Sequence, residues 1–171
     1  MPQPGEVWHL GEGVKDAAAL QGLGLLACGL NTCRLAAKFA RLFTGVETVL
    51  VPDRDRAGEE GAQFTARALR GAAKSVRTAV LPAEFKESDG EDVRDVLRRA
   101  NGREQVLQAI ADAQPPAGWE PSERTPEMPT TASIDIQLAE GLRRPRARHH
   151  DVLGHRAEAQ SDKGDGEKGL H

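Results

Sequence analysis

The sequence contains no tyrosine, four phenylalanines and two tryptophans, so aromatic residues make up only 4% of its 171 residues. A hydrophobic core must therefore be built mainly from leucine, valine and alanine. The two cysteines, Cys28 and Cys33, fit no CxxC zinc pattern and indicate thiols of a reducing compartment. The N-terminus lacks the basic start and apolar stretch of a signal peptide, and no apolar run is long enough to cross a bilayer. We therefore expect a cytoplasmic protein.

The composition, with 39% hydrophobic and 29% charged residues, is typical of a soluble globular chain. The length allows one domain of ordinary size and leaves room for a tail. The formal net charge of −3 argues against simple avidity for the nucleic-acid backbone, although a local basic patch is compatible with it.

Short apolar runs alternate with longer amphipathic runs as far as residue 113. The runs predicted as strands lie at 6–10, within 23–30, at 46–52 and at 75–82, and those predicted as helices at 15–23, 33–43, 57–71, 91–100 and 103–113. In the helix at 33–43, Leu35, Phe39, Leu42 and Phe43 are expected on one apolar stripe. This alternation predicts an α/β fold with about four mostly parallel strands flanked by helices.

Residues 114–171 are rich in proline and lose apolar periodicity, which predicts a disordered tail. A basic cluster, "RRPRARHH" at 143–150, lies in this tail. Two interpretations stay open for it, a contact with nucleic acid or solvated charge. We expect the histidines at 149, 150 and 155 to be unstructured rather than metal ligands.

Acidic side chains follow three of the predicted strands. Asp53 and Asp55 come directly after the strand in "VLVPDRDRAGEEGA", and Glu12 follows the first strand between two glycines. Asp92 and Asp95 lie after the fourth strand, in "ESDGEDVRDVL". Because ligands bind at the carboxyl ends of parallel strands, these carboxylates are expected to converge at one edge of the sheet.

Converging carboxylates repel each other unless a cation neutralises them. Carboxylate oxygens are the ligands that a hard cation such as Mg²⁺ prefers, and softer ligands at suitable spacing are missing before the tail. A magnesium site for phosphate chemistry is therefore the leading interpretation. The alternative is that each acidic residue only caps a helix.

These motifs resemble those of the Toprim family, the catalytic module shared by bacterial-type primases, topoisomerases of types IA and II, OLD-family nucleases and small recombination proteins. The resemblance covers about residues 6–113. "VWHLGEGVKDAAAL" is similar to the family's strand ending in Glu-Gly, with Glu12 as the glutamate. "VLVPDRDRAGEEGA" is similar to its DxD strand with a downstream glycine, here Gly58. "KSVRTAVLP" and "EDVRDVL" are similar to segments of the phage- or plasmid-type primases and primase-helicases.

The resemblance implies a Rossmannoid three-layer fold over residues 1–113 and metal-dependent phosphodiester chemistry on nucleic acid. Asp53 and Asp55 would bind Mg²⁺, for which Mn²⁺ is a substitute. Glu12 would bind the metal or move a proton, and Asp92 would complete the site. All but Asp92 would be catalytic.

The resemblance also suggests phosphate contacts by Lys15 and by Arg54 or Arg56. For the two arginines the alternative, slightly preferred, is a solvated flank.

The leading hypothesis is primase-like nucleotidyl transfer in DNA replication, on a DNA template with nucleoside triphosphates. The sequence has neither zinc-ribbon cysteines nor a Walker A motif, so a partner protein is expected to supply the ribbon or a helicase, or else the chain is a piece of a longer primase. The absence of tyrosine excludes a self-sufficient topoisomerase of the tyrosine type. Two alternatives stay open, a small OLD-like nuclease and a non-catalytic binding module as in recombination mediators.

Overall fold

A parallel sheet of four strands forms the centre of the fold. The structure is a computed structural model and describes residues 1–120. Residues 121–171, with the basic cluster and the histidines at 149, 150 and 155, lie outside the described residues. The strands are β1 (Val7–Gly11), β2 (Ala27–Gly29), β3 (Glu47–Val51) and β4 (Ser75–Thr78). The helices are α1 (Val14–Gly22), a 3₁₀ helix (Ala37–Phe43), α2 (Arg56–Leu69), α3 (Val93–Leu97) and α4 (Gly102–Ala111).

The strand order is β2-β1-β3-β4, and every neighbouring pair is parallel. Successive residues of β3 point to opposite faces, so Val49 and Val51 enter one core while Leu50 enters the other. Helices α1, α3 and α4 cover the first core, and α2 with the 3₁₀ helix covers the second. The predicted α/β class, with parallel strands between two helical layers, is confirmed.

The segment after β2 differs from the prediction. Residues Ala37–Phe43 form a 3₁₀ helix, whose three-residue turns align side chains three positions apart. Ala40 and Phe43 therefore share the buried face, and Leu35 is buried ahead of the helix. Phe39 is 46% exposed. The predicted apolar stripe containing Phe39 was wrong because it assumed the α-helical period.

Packed structure continues beyond Ala113. Gln114 forms an antiparallel bridge with Thr78, in which the Thr78 N–H donates to the Gln114 carbonyl at 2.8 Å. Trp119 packs against the core on the α2 side of the sheet. The bridge pairs the backbone groups of Thr78 at the outer edge of β4, where an edge strand otherwise leaves such groups unpaired. No helix within residues 1–120 has the length and apolar character needed to span a membrane.

Candidate functional site

Glu12 and Asp53 meet at the carboxyl edge of the sheet. Strands β1 and β3 are neighbours in register, with Gly11 opposite Val51. The chain therefore leaves both strands at the same level. The Asp53 N–H donates to Glu12 Oε1 at 3.2 Å. The structure thus brings the two predicted motifs together through a direct hydrogen bond.

Gly58, in the first turn of α2, lies directly against this pair. A Cβ atom at this position would lie 2.4 Å from the Asp53 carbonyl oxygen and 2.7 Å from Glu12 Oε1. Both separations are far below ordinary van der Waals contact. The glycine after the DxD motif is therefore needed for the close approach of α2 to both acidic residues.

Asp55 is the N-cap of α2 and is 9% exposed. Its Oδ1 accepts the Gly58 N–H at 2.9 Å, and its Oδ2 accepts the Gly90 N–H at 2.9 Å. Asp55 thus ties the start of α2 to the loop that precedes α3. Asp55 therefore has the helix-capping role that was the alternative to metal binding for these acidic residues. Each of its carboxylate oxygens keeps a second lone pair for another ligand.

Asp92 caps α3 and is bridged to Asp16 of α1 by an arginine. The Arg94 guanidinium donates from Nε to Asp16 Oδ1 at 2.9 Å and from Nη2 to Asp92 Oδ2. Both carboxylates are largely buried, at 7% and 8% exposure. The hydrogen bond from Arg94 to Asp92 is the main reason that the pKa of Arg94 is raised. The predicted ligand Asp92 is therefore already partly neutralised.

Neither Asp16 nor Arg94 was predicted from the sequence as part of the site. Asp16 carried one usable signal, since it lies in the first turn of α1 only four residues after Glu12. Its Oδ2 accepts the Gly13 N–H at 3.1 Å, which fixes the turn that presents Glu12. Arg94 carried no such signal, because its partner Asp16 is 78 residues away in the chain.

Negative charge accumulates around Asp53. Burial raises the pKa of Asp53 to about 7, and the charges of Glu12, Asp16, Asp92 and Asp55 add to the effect in that order. Burial also raises the pKa of Glu12, although the Asp53 N–H opposes the shift. A half-buried group surrounded by like charges gains most from a cation beside it.

The donor set fits a hard divalent cation in its chemistry, because it consists of carboxylate oxygens. Within residues 1–120, Glu12 Oε2 and both carboxylate oxygens of Asp53 accept no hydrogen bond. The same residues contain no cluster of three or more histidine, cysteine or carboxylate side chains already spaced to hold a metal ion. Glu12 and Asp53 thus offer two carboxylates, and a Mg²⁺ ion held there would keep water molecules as its further ligands.

The arginine that separates the two aspartates is held within the protein. Arg54 Nε donates to the Ala83 carbonyl at 3.3 Å, and its guanidinium lies 5.8 Å from the centre of the Phe85 ring. An ion pair at 3.5 Å joins it to Glu59. Only 17% of the Arg54 side chain is exposed, so it is occupied in holding the loop after β4.

The other two predicted phosphate contacts face solvent. Lys15 is exposed in the first turn of α1, close in sequence to Glu12. Arg56 is exposed and pairs with Glu60 at 3.2 Å and Glu87 at 3.5 Å. Of the three, Lys15 is the one whose side chain forms no hydrogen bond or ion pair with another residue within residues 1–120.

The raised pKa of Asp53 predicts a pH-dependent stability. Because its pKa in the folded protein, about 7, exceeds the ordinary 3.8, the folded state holds this proton more tightly than the unfolded chain. Its stabilising contribution is complete below the ordinary pKa and is lost as the pH rises through about 7. In EDTA, we expect denaturant unfolding to show a larger loss of stability between about pH 5 and pH 8 for the wild type than for Asp53→Asn. Identical losses in the two proteins would contradict the shift.

The fold is similar to that of chains in two solved structures that contain phage primase domains. A chain in the structure of bacteriophage T7 lagging-strand DNA polymerase interacting with primase domains of two gp4 subunits matches 66% of this chain at a TM-score of 0.50 and 22% identity. The primase fragment of the bacteriophage T7 primase-helicase protein matches 64% of it at a TM-score of 0.48 and 23% identity.

The matched region spans 57% of the first of those chains and 45% of the second. No family model matches this chain, and no curated protein does. What the likeness establishes is the architecture, and the described part of this chain has a primase-type fold.

Proposed function

We propose that this chain is a primase-like Toprim protein that catalyses or assists Mg²⁺-dependent nucleotidyl transfer on a DNA template. The meeting of Glu12 and Asp53 at the carboxyl edge of a primase-type sheet carries the proposal. The charge around Asp53, which raises its pKa to about 7, supports a cation at this edge. Nucleoside triphosphates bring such a cation with them, because their phosphates bind Mg²⁺.

Each acidic residue has a distinct part in this proposal. Glu12 and Asp53 offer the open oxygens that would hold the metal, which when bound would neutralise them and orient the phosphates of a nucleotide. Asp55 and Asp92 face the same cluster and keep the two helix N-termini in place through their capping bonds. Glu12, whose pKa is raised by burial, is also suited to take up or release a proton.

The proposal includes a partner or a longer chain. The chain spans about half the length of the primase chains it matches. We propose that a zinc ribbon or helicase comes from another protein or from further sequence. Cys28 and Cys33 are both free, as in a reducing compartment, so we place this activity in the cytoplasm.

Primer synthesis tests the proposal. With single-stranded template, labelled nucleoside triphosphates and Mg²⁺, we expect short template-dependent products that disappear in EDTA and with Glu12→Gln. The loss follows because Glu12 supplies one of the open oxygens of the site. A 5′-labelled strand in the same reaction serves as the nuclease control. Shortening of that strand without new products would replace the proposed reaction by phosphodiester cleavage.

A further inference from the structure

A groove of about 600 Å³ opens beside the carboxyl edge, along the 3₁₀ helix and β2. Its walls include Trp8, Cys28, Leu30, Lys38, Phe39 and Leu42. Leu30 also lines the small cavity beneath Glu12 and Gly58, and its N–H donates to the Gly11 carbonyl at 3.0 Å. The groove therefore begins one side chain away from the candidate site.

The 3₁₀ helix aligns side chains three positions apart. Phe39 and Leu42 form an apolar row that lines the groove. Lys38 also lines the groove and shares its row with Arg41, which is exposed on the helix just outside it. The Lys38 ammonium lies 5.0 Å from the centre of the Phe39 ring. Phe39 is 46% exposed, so an aromatic face and two cations stand together on the surface.

The charge of the segment has one sign. Residues 17–46 contain no aspartate or glutamate but include Arg34, Lys38 and Arg41, although the whole chain has a net charge of −3. Arg34 pairs at 3.7 Å with Glu60 of α2 and lies over the Phe64 ring. The groove interior adds no charge, because burial raises the pKa of the Cys28 thiol. The surface thus complements a polyanion.

We propose that this groove binds an unpaired stretch of single-stranded DNA, with a base stacked on Phe39 and phosphates on Lys38 and Arg41. Aromatic faces beside a basic groove are the usual means of holding single strands without sequence preference. Its size lies within the range of ligand clefts. The identity of the strand as template rests on the proposed function, whereas its binding does not.

Fluorescence anisotropy with a labelled oligodeoxythymidine of about 12 nucleotides tests the groove, in EDTA so that no metal contributes. Phe39→Ala is expected to weaken binding about 5- to 100-fold, since it removes a stacking face. Lys38→Gln is expected to lower the slope of log affinity against log salt by about 0.7. Arg103→Gln, which removes an exposed charge from α4, is the matched control and should keep the wild-type slope.

Thermal melting should give equal midpoints for Phe39→Ala and wild type, because Phe39 contributes little to the core. The groove assignment is overturned if Phe39→Ala binds like wild type, or if Lys38→Gln and Arg103→Gln change the salt slope equally. It is also overturned if the wild type shows no binding to the oligonucleotide, including the case in which it self-associates or binds a protein instead.

The same assay separates this inference from the proposed function. If Phe39→Ala loses oligonucleotide binding but the wild type synthesises no primer, the proposed function is rejected and the groove assignment stands. If the wild type synthesises primers but Phe39→Ala binds the oligonucleotide as tightly as wild type, the proposed function stands and the groove assignment is rejected.

Discussion

Asp53→Asn is expected to weaken Mg²⁺ binding by more than 100-fold, both with and without nucleoside triphosphate. The change keeps the size of the side chain but removes the charge at the centre of the acidic cluster. Substitution of residues that only support metal ligands typically costs 10- to 100-fold in affinity, so loss of a ligand is expected to cost more. Calorimetric titration at about pH 8, where the Asp53 carboxyl is ionised, measures the effect.

Glu104→Gln is the control for Asp53→Asn, because it removes one carboxylate from the exposed first turn of α4. That variant should bind Mg²⁺ as the wild type does. Equal affinity of wild type and Asp53→Asn would show that the ion, if bound, lies elsewhere. Without metal at about pH 8, Asp53→Asn should also be more stable than wild type, since it removes a half-buried charge that lies among like charges.

The convergence of Glu12 and Asp53 at one edge of the sheet could be predicted from the sequence on the condition that the first and third strands are neighbours. Both residues end strands, and parallel neighbours bring their ends to one edge. The parallel direction of the strands follows from their alternation with helices, which the sequence displays as local periodicity. The order β2-β1-β3-β4, which makes β1 and β3 neighbours, is seen only in the structure.

The Asp16–Arg94 pair and the exposure of Phe39 were not accessible in this way. The first depends on how α1 and α3 pack on one face of the sheet, which no local pattern encodes. The second depends on a three-residue rather than a 3.6-residue period over seven residues. That segment is too short for its periodicity to distinguish the two helix types.

Gly58→Ala is expected to lower the free energy of unfolding by about 1–3 kcal/mol and to disrupt the site at the same time. The added Cβ would lie 2.4 Å from the Asp53 carbonyl oxygen and 3.0 Å from the Asp53 nitrogen. Both are backbone atoms that cannot rotate away as a flexible side chain can. The N-terminus of α2 must therefore move outward, which stretches the 2.9 Å bond from the Gly58 N–H to Asp55.

Gly22→Ala supplies the matched control, since it makes the same substitution in α1 where an added Cβ meets nothing within 4 Å. It should leave stability unchanged or raise it by up to about 1 kcal/mol, because alanine has the better helix propensity. Urea unfolding measures both changes, and Mg²⁺ titration of the folded variants tests the site. If Gly58→Ala were as stable as Gly22→Ala and kept wild-type Mg²⁺ affinity, α2 would not pack against Glu12 and Asp53 as described, and the carboxylates would lack the support on which the proposed chemistry depends.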